Sequence, residues 1–390
     1  MGRDANMPAL RLHHRSIEVS LKHWDIFCRV IDNYGDIGVC WRLALQLTVA
    51  QKQSVRLWVD DLDSLVPLCP ACDPALAVQV HAGITIFRWP IDAAPAASNL
   101  AVDWSAMAKT AAVTIESFAC ELPAPYLQAM AGGEFESVKP PVWINLEYLT
   151  AEPWAESCHR VASPHPTLPL IKYFFFPGFS ASTGGLLRES RLPAPVCLPS
   201  SDISLFCYDN APIAAWLDAL AQMPEPIRCR VFPGKPLAAV QAQLPGSGPW
   251  QLGQARIEPV PFVPQADYDA LLRDCALNIV RGEDSFVRAQ LAGRPFIWHI
   301  YPQDDNAHMD KLNAFLDRYT EGLPTQLATT IRRMFLAWNE AQSPEQFASA
   351  WANFYAALPQ IAQHALVWRD YCQQLPELSA SLVKFCAETV

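Results

Sequence analysis

Trp24-Asp25-Ile26-Phe27-Cys28-Arg29-Val30-Ile31 runs directly into Asp32-Asn33-Tyr34-Gly35-Asp36-Ile37-Gly38 and then into Val39-Cys40-Trp41-Arg42-Leu43, and this stretch decides the fold. Residues 24–31 are a short, mostly apolar run and read as a buried strand. Residues 39–50 place Trp41, Leu43, Ala44 and Leu47 near helical spacing. The residues between them, with two glycines and two aspartates, read as a strand-to-helix turn. Residues 55–59 read as the next strand, and 84–89, 111–115 and 142–146 continue the series. Strands separated by helix-length segments predict a parallel sheet with helices on both faces.

Pro177, Gly178, Gly184, Gly185, Pro193, Pro195 and Pro199 punctuate residues 176–201, which show little periodicity and read as an interdomain linker. The alternation then restarts, with strands predicted at 203–207, 228–232, 257–262, 276–280 and 295–300. The helices between them are predicted at 212–221, 236–244, 265–274 and 285–292, and from Met309 the pattern is helical. The expected organisation is α/β: two doubly wound domains, 24–185 and 186–365, facing each other across a cleft, followed by a helical segment, 366–390. Residues 1–23 carry Arg3, Arg11, Arg15 and Lys22 but no apolar core of signal-peptide length, and are expected to be a flexible extension.

The chain of 390 residues is 51% hydrophobic and 17% charged, enough apolar material for two cores, which excludes wholesale disorder. With 29 basic against 39 acidic residues its formal charge is −10, a poor balance for binding nucleic acid or an anionic membrane. Neither is expected as a partner. No uncharged apolar stretch reaches the length of a membrane span. Twelve cysteines are scattered through a long chain rather than packed into a short one, so they read as buried free thiols in a reducing cytoplasm. Cys69-Pro70-Ala71-Cys72 has no second cysteine pair and no nearby histidine, the histidines and cysteines elsewhere lack metal-site spacing, and no metal is expected.

Two loops carry the chemistry-bearing residues. In the first, Gly35 and Gly38 allow a tight turn and close backbone approach, but the GxxG spacing falls short of a dinucleotide fingerprint, and Asp36 would repel a pyrophosphate. Asp32 and Asp36 suit proton abstraction or the orientation of a cationic substrate; capping the helix and pinning the turn explains them equally well. In the second, Arg281-Gly282-Glu283-Asp284-Ser285 follows an apolar strand and opens a helix, with Asp284 or Ser285 available as N-cap. Free N–H groups at a helix start, with Arg281 beside them, suit a phosphate or diphosphate. The competing account is a surface ion pair between Arg281 and Glu283. Tyr208, Phe262, Tyr268 and Tyr301, with Gln265 among them, fall at predicted strand ends or helix starts and offer stacking platforms and an amide for a base. His299 lies inside an apolar strand and reads as a core histidine; His159, His165 and His308 join no recognisable constellation.

The run 24–43 resembles the opening of the bacterial protein-arginine rhamnosyltransferases that modify elongation factor P, the EarP family. Arg281 to Gln290, followed by Pro295-Phe296-Ile297-Trp298-His299-Ile300-Tyr301-Pro302-Gln303, resembles their donor-site signature. The resemblance extends from Trp24 to the carboxyl terminus. It implies a GT-B glycosyltransferase, two facing Rossmann-like domains with C-terminal helices packing back toward the first, that is inverting and metal-independent and has no cofactor beyond its donor. The implied donor is dTDP-β-L-rhamnose and the implied acceptor one arginine of elongation factor P. Asp36 is then the general base, with Asp32 and Glu283 beside it. Asn33, Tyr34, Gly35, Gly38, Tyr208, Phe262, Gln265, Tyr268, Arg281, Gly282, Glu283, Asp284, Ser285 and Tyr301 surround the donor. The rival expectations are a GT-B enzyme with another donor or acceptor, and a sugar-nucleotide-binding adaptor without turnover.

Overall fold

Strand β1, His23–Cys28, is buried on both faces because its alternate side chains enter two different cores. Trp24, Ile26 and Cys28 pack with the helix Gly35–Val49, whereas Phe27 packs with Trp58, Phe87, Trp89 and Tyr126 on the opposite side. Asp25, on the Phe27 face, is fully buried and is held by the register: it lies opposite Arg56 of the adjacent strand, which grips it through Nε and Nη2. Tyr126 Oη and Trp58 Nε1 also donate to its carboxylate. A charge inside a core strand is tolerated when it is paired and fully hydrogen-bonded, as here.

In the computed structural model the described residues are 23–32, 34–89, 102–132, 140–189, 192–193, 200–303 and 305–389. All but the last residue of the predicted N-terminal extension, and Asn33 of the first loop, lie outside them. The first sheet continues with β2 (Ser54–Val59), β3 (Val78–His81), β4 (Ile84–Arg88), β5 (Ala111–Ser117), β6 (Val142–Leu146), β7 (Ala162–Pro164) and β8 (Ile171–Phe175), in the order β3-β4-β2-β1-β5-β6-β8-β7. The second comprises β9 (Asp202–Leu205), β10 (Ile227–Val231), β11 (Trp250–Leu252), β12 (Ala255–Pro259), β13 (Leu277–Arg281) and β14 (Phe296–His299), in the order β11-β12-β10-β9-β13-β14. The pairings are parallel except at β3, β7 and β11, short strands at sheet edges. In each sheet the first strand is central: the chain builds outward on one side, then crosses to the other, at β1/β5 and at β9/β13. That crossing point is where open α/β sheets leave a crevice beyond the carboxyl ends of their strands.

The expected strand 24–31 ends early, at Cys28, and the expected helix 39–50 starts early, at Gly35. The reason is hydrogen bonding. The N–H of Val30 donates to Asp60, and those of Ile31 and Asp32 donate to the Asp36 carboxylate, so side chains rather than a neighbouring strand satisfy this backbone. The stretch read as a linker is packed where it is described: Phe179 and Leu186 belong to the core of the second sheet and Leu187 to that of the first.

Four helices after β14, Ala307–Tyr319, Thr325–Asn339, Pro344–Ala356 and Leu358–Gln374, bury their apolar faces in the core of the second sheet. The last helix, Leu378–Thr389, instead places Leu378, Leu382, Phe385 and Cys386 in the core of the first. At this crossover the Leu186 N–H donates to the Pro376 carbonyl and the Leu378 N–H to the Leu186 carbonyl. Gly185 has φ +76°, and a Cβ there would stand 1.9 Å from the Pro376 carbonyl oxygen. Gly185→Ala is therefore expected to lower unfolding stability by about 2 kcal/mol or more. Gly132→Ala, where a Cβ meets nothing within 4 Å, should leave the urea midpoint unchanged or slightly raised. Equal midpoints for the two variants would contradict a strained, closely packed crossover.

Candidate active site

Asp36 lies in the first turn of the helix Gly35–Val49 and is only 2% exposed. Its Oδ2 accepts the N–H groups of Ile31 (2.8 Å) and Asp32 (2.9 Å), and its Oδ1 accepts the Tyr148 hydroxyl (3.1 Å). It pins the preceding turn without capping the helix, whose N-cap position, Tyr34, makes no side-chain cap. Asp32 Oδ2 accepts the hydroxyl of Tyr208, which arrives from the end of β9 in the other domain. Burial raises the Asp32 pKa, against the pull of the Tyr208 hydroxyl and the Arg281 guanidinium.

On the second domain, Arg281 ends β13 and is 4% exposed. Its guanidinium carbon lies 4.7 Å from each of the Phe206 and Tyr208 ring centroids, and its Nη1 has no hydrogen-bond partner. A buried guanidinium nitrogen left unpaired is a site for an anion. Gly282 follows with φ +65°, which turns the chain into the helix Asp284–Ala292.

The expectation that Asp284 or Ser285 caps this helix is corrected. The N-cap position is Glu283 and no side chain caps it. The Asp284 carboxylate instead accepts Arg42 Nε (2.6 Å) and Nη2 (3.1 Å), from the first domain, together with Gln265 Nε2 (2.9 Å). The first-turn N–H groups are thus left without a side-chain partner, as an anion site requires. The alternative pair between Arg281 and Glu283 does not form: Glu283 accepts Lys311 Nζ (2.9 Å) and the Leu149 N–H (3.0 Å). Burial raises the Glu283 pKa, with Lys311 and the Leu149 N–H opposing.

These residues line two adjoining cavities that share the wall formed by Asp32, Gly35, Gly282 and Glu283. Tyr34, Gly38, Phe262, Gln265, Tyr268, Arg281, Asp284 and Ser285 line the first. Tyr34 and Phe262 meet edge-to-face at 6.1 Å, one from each domain. Asp36 and Tyr301 line the second, with Tyr148, His308 and Lys311. Tyr208 is buried rather than open to the first cavity: its ring lies against Arg281 and Tyr301, and its hydroxyl holds Asp32. His299 is a core residue, accepting the Tyr208 N–H at Nδ1, with its pKa pushed down to about 3 by burial and by Arg281. Among the described residues, no three His, Cys, Asp or Glu side chains come together as a metal site. No described helix is long and apolar enough to cross a membrane.

Arg42, Tyr148 and Lys311 escaped the sequence reading. Arg42 had a signal: it is the one charged residue between Ile37 and Leu47 in an otherwise largely apolar helix. Tyr148 follows the end of β6, a position that open α/β sheets use for ligands. Lys311 sits within a long helix and carried no signal.

A family model described as elongation-factor P (EF-P) rhamnosyltransferase EarP matches residues 24–196 and 198–387. The chain is 42% identical over 389 residues to a protein-arginine rhamnosyltransferase of Pseudomonas putida, spanning 93% of this chain and 98% of the relative. It is similar to a solved structure that presents the structural basis for EarP-mediated arginine glycosylation of translation elongation factor EF-P, with 30% identity, a TM-score of 0.59, and coverage of 94% of this chain and 99% of that one. The glycosyltransferase VinC, solved in complex with dTDP, shares the fold at 15% identity and a TM-score of 0.50, covering 94% of this chain and all (100%) of that one.

The unpaired Arg281 guanidinium generates a direct test with inorganic pyrophosphate as probe. A charged hydrogen bond to phosphate is worth roughly 1.5–3 kcal/mol, so Arg281→Ala should weaken pyrophosphate binding about ten- to a hundredfold by titration calorimetry. An unchanged affinity would remove Arg281 from the site.

Proposed function

The chain belongs to the EarP family of elongation-factor P rhamnosyltransferases and is a protein-arginine rhamnosyltransferase of GT-B architecture; from that premise we propose that it moves L-rhamnose from dTDP-β-L-rhamnose to one arginine of elongation factor P, with inversion at the sugar and Asp36 as general base. The observation that carries this reading is the opposition of charges across one shared wall. The carboxylates of Asp32 and Asp36 come from the first domain, and the unpaired guanidinium of Arg281 from the second.

In this reading the nucleotide occupies the first cavity, with its diphosphate on Arg281 and the start of the Asp284–Ala292 helix and its base among Phe262, Tyr268 and Gln265. The sugar lies at the shared wall, and the acceptor arginine enters through the second cavity toward Asp36. A guanidinium has a pKa above about 12 and is a poor nucleophile while protonated. A buried carboxylate addresses both problems: it holds the planar cation by hydrogen bonds and takes the proton as the nitrogen attacks. The new bond joins that nitrogen to the anomeric carbon, the bond from this carbon to the diphosphate oxygen breaks, and the electron pair leaves with dTDP. Arg281 and the helix N–H groups stabilise the departing charge, so the reading calls for no metal or other cofactor.

A translation factor as acceptor puts the reaction in the cytoplasm. The thiols support that assignment: the cysteines among the described residues are free, and all but Cys158 are buried.

Asp36→Asn keeps the shape of the side chain and an oxygen for the Ile31 and Asp32 N–H groups, so it should fold normally. Losing a general base costs roughly 10²–10⁴-fold in rate. Intact-mass spectrometry of elongation factor P incubated with the enzyme and dTDP-β-L-rhamnose should show the gain of one deoxyhexose, mapped to an arginine, and the variant should produce it very slowly. A variant as fast as the parent would overturn Asp36 as the base; no gain at all with the parent enzyme, despite tight dTDP binding, would overturn the acceptor.

A further inference from the structure

Consecutive residues just beyond β6 hold both the carboxylate of Asp36 and that of Glu283. The Tyr148 hydroxyl donates to Asp36 Oδ1 (3.1 Å), and the Leu149 N–H donates across the domain boundary to Glu283 Oε2 (3.0 Å). A carboxylate offers about four lone-pair directions. At Asp36 the two on Oδ2 are filled by the Ile31 and Asp32 N–H groups, and one on Oδ1 by Tyr148. One direction remains for an acceptor.

The Tyr148 ring is fixed from two sides although the residue is 38% exposed. Phe118 stacks on it at 4.3 Å and 10°, and Lys311 Nζ lies 5.4 Å from its centroid while pairing with Glu283. Phe118 reaches that position in a left-handed conformation, φ +57°, followed by Ala119 at +54° and, after Cys120, by Glu121 at +59°. Bulky residues rarely adopt this region, and a cluster of them persists only where surrounding contacts impose it. Here the Phe118 N–H donates to the Leu146 carbonyl at 2.7 Å, tying the turn to the end of β6.

We propose that Tyr148 is a positioning residue: its hydroxyl fixes the Asp36 carboxylate so that a single Oδ1 direction faces the acceptor guanidinium, and Phe118 and Lys311 hold its ring for that purpose. The proposal rests on the reading of Asp36 as general base. Burial, followed by the nearby Asp36 and Glu283 charges, raises the Tyr148 pKa, which keeps the phenol a donor.

The test is a double-mutant cycle of Tyr148→Phe with Asp36→Asn, measured by single-turnover transfer to elongation factor P alongside dTDP titration and urea unfolding. Tyr148→Phe keeps the ring contacts and removes only the hydroxyl. It should lower the transfer rate about tenfold, the scale of one hydrogen bond to a charged group, with dTDP affinity and unfolding midpoint unchanged. In the Asp36→Asn background the same substitution should cost less than about twofold, because the group it acts through is already altered. Three results overturn the proposal: Tyr148→Phe at the parental rate, the same loss in both backgrounds, or a loss that tracks dTDP affinity or the unfolding midpoint. If Asp36→Asn is slow, these refute the positioning role alone; a fast Asp36→Asn refutes the general-base reading and the positioning role with it.

Discussion

The bidentate pair between Arg42 and Asp284 joins the two domains at the point where their first site helices meet. Arg42 is 5% exposed, and its partner lies 242 residues along the chain. Glu189 extends the pair into a network, bonding both Arg42 and Arg288, while Arg288 in turn grips Asp269. Against the burial that opposes ionisation, Arg288 and Arg42 hold the Glu189 pKa below its ordinary value. Removing one member of such a buried network leaves an uncompensated charge and costs several kcal/mol, so the pair fixes where the second domain sits. It also decides the local chemistry of the cleft. By drawing the Asp284 carboxylate toward the first domain, it keeps that carboxylate off the helix N–H groups, where it would compete with a phosphate.

The charges near the shared wall divide by their partners. Glu283 is paired with Lys311, and Asp284 with Arg42. Asp32 and Asp36 receive hydrogen bonds only from neutral hydroxyl or backbone donors, and Arg281 lies against ring faces; none of the three forms a salt bridge among the described residues. In a low-dielectric cleft, charges without a counter-charge are costly and strongly attract one. The unneutralised charges are negative on the first domain and positive on the second, which is the polarity that a cationic acceptor and an anionic leaving group require.

The β–α alternation of both domains was legible because buried parallel strands are continuous apolar runs between helices of different period. The two glycine-and-acid loops were legible because this fold puts ligands at strand ends. Errors arose where a side chain satisfied something distant. Asp284 reads as a cap from its neighbours, but its partner is remote. Tyr208 reads as a stacking platform, but folding buries it and leaves its hydroxyl within reach of Asp32 on the other domain. The early end of β1 has the same origin, since Asp60 takes the Val30 N–H and Asp36 that of Ile31, both of which local pattern assigns to a strand. The sequence reading places no strand at β3, β7, β8 or β11: β3, β7 and β11 are only three or four residues long, too short for a period to show, and β8 is interrupted by Lys172 and mostly half-buried, so it lacks the continuous apolar run of a buried strand.

Several of the contacts that join the domains are made by residues of the candidate site itself. Arg42 meets Asp284, Tyr208 meets Asp32, and the Leu149 N–H meets Glu283, each pair crossing from one domain to the other. The placement of the first-domain carboxylates relative to Arg281 on the second domain is therefore set by the same bonds that hold the cleft together, rather than by a remote hinge. Transfer in the proposed reaction demands that nitrogen, anomeric carbon and leaving oxygen line up to within a fraction of an ångström. With the proposed base on one domain and the proposed anion site on the other, that demand is met only if both are registered at the cleft. The strained turn at Phe118 fits this requirement: its conformation is unfavourable in itself, yet it delivers the ring that holds Tyr148, and Tyr148 in turn holds the carboxylate.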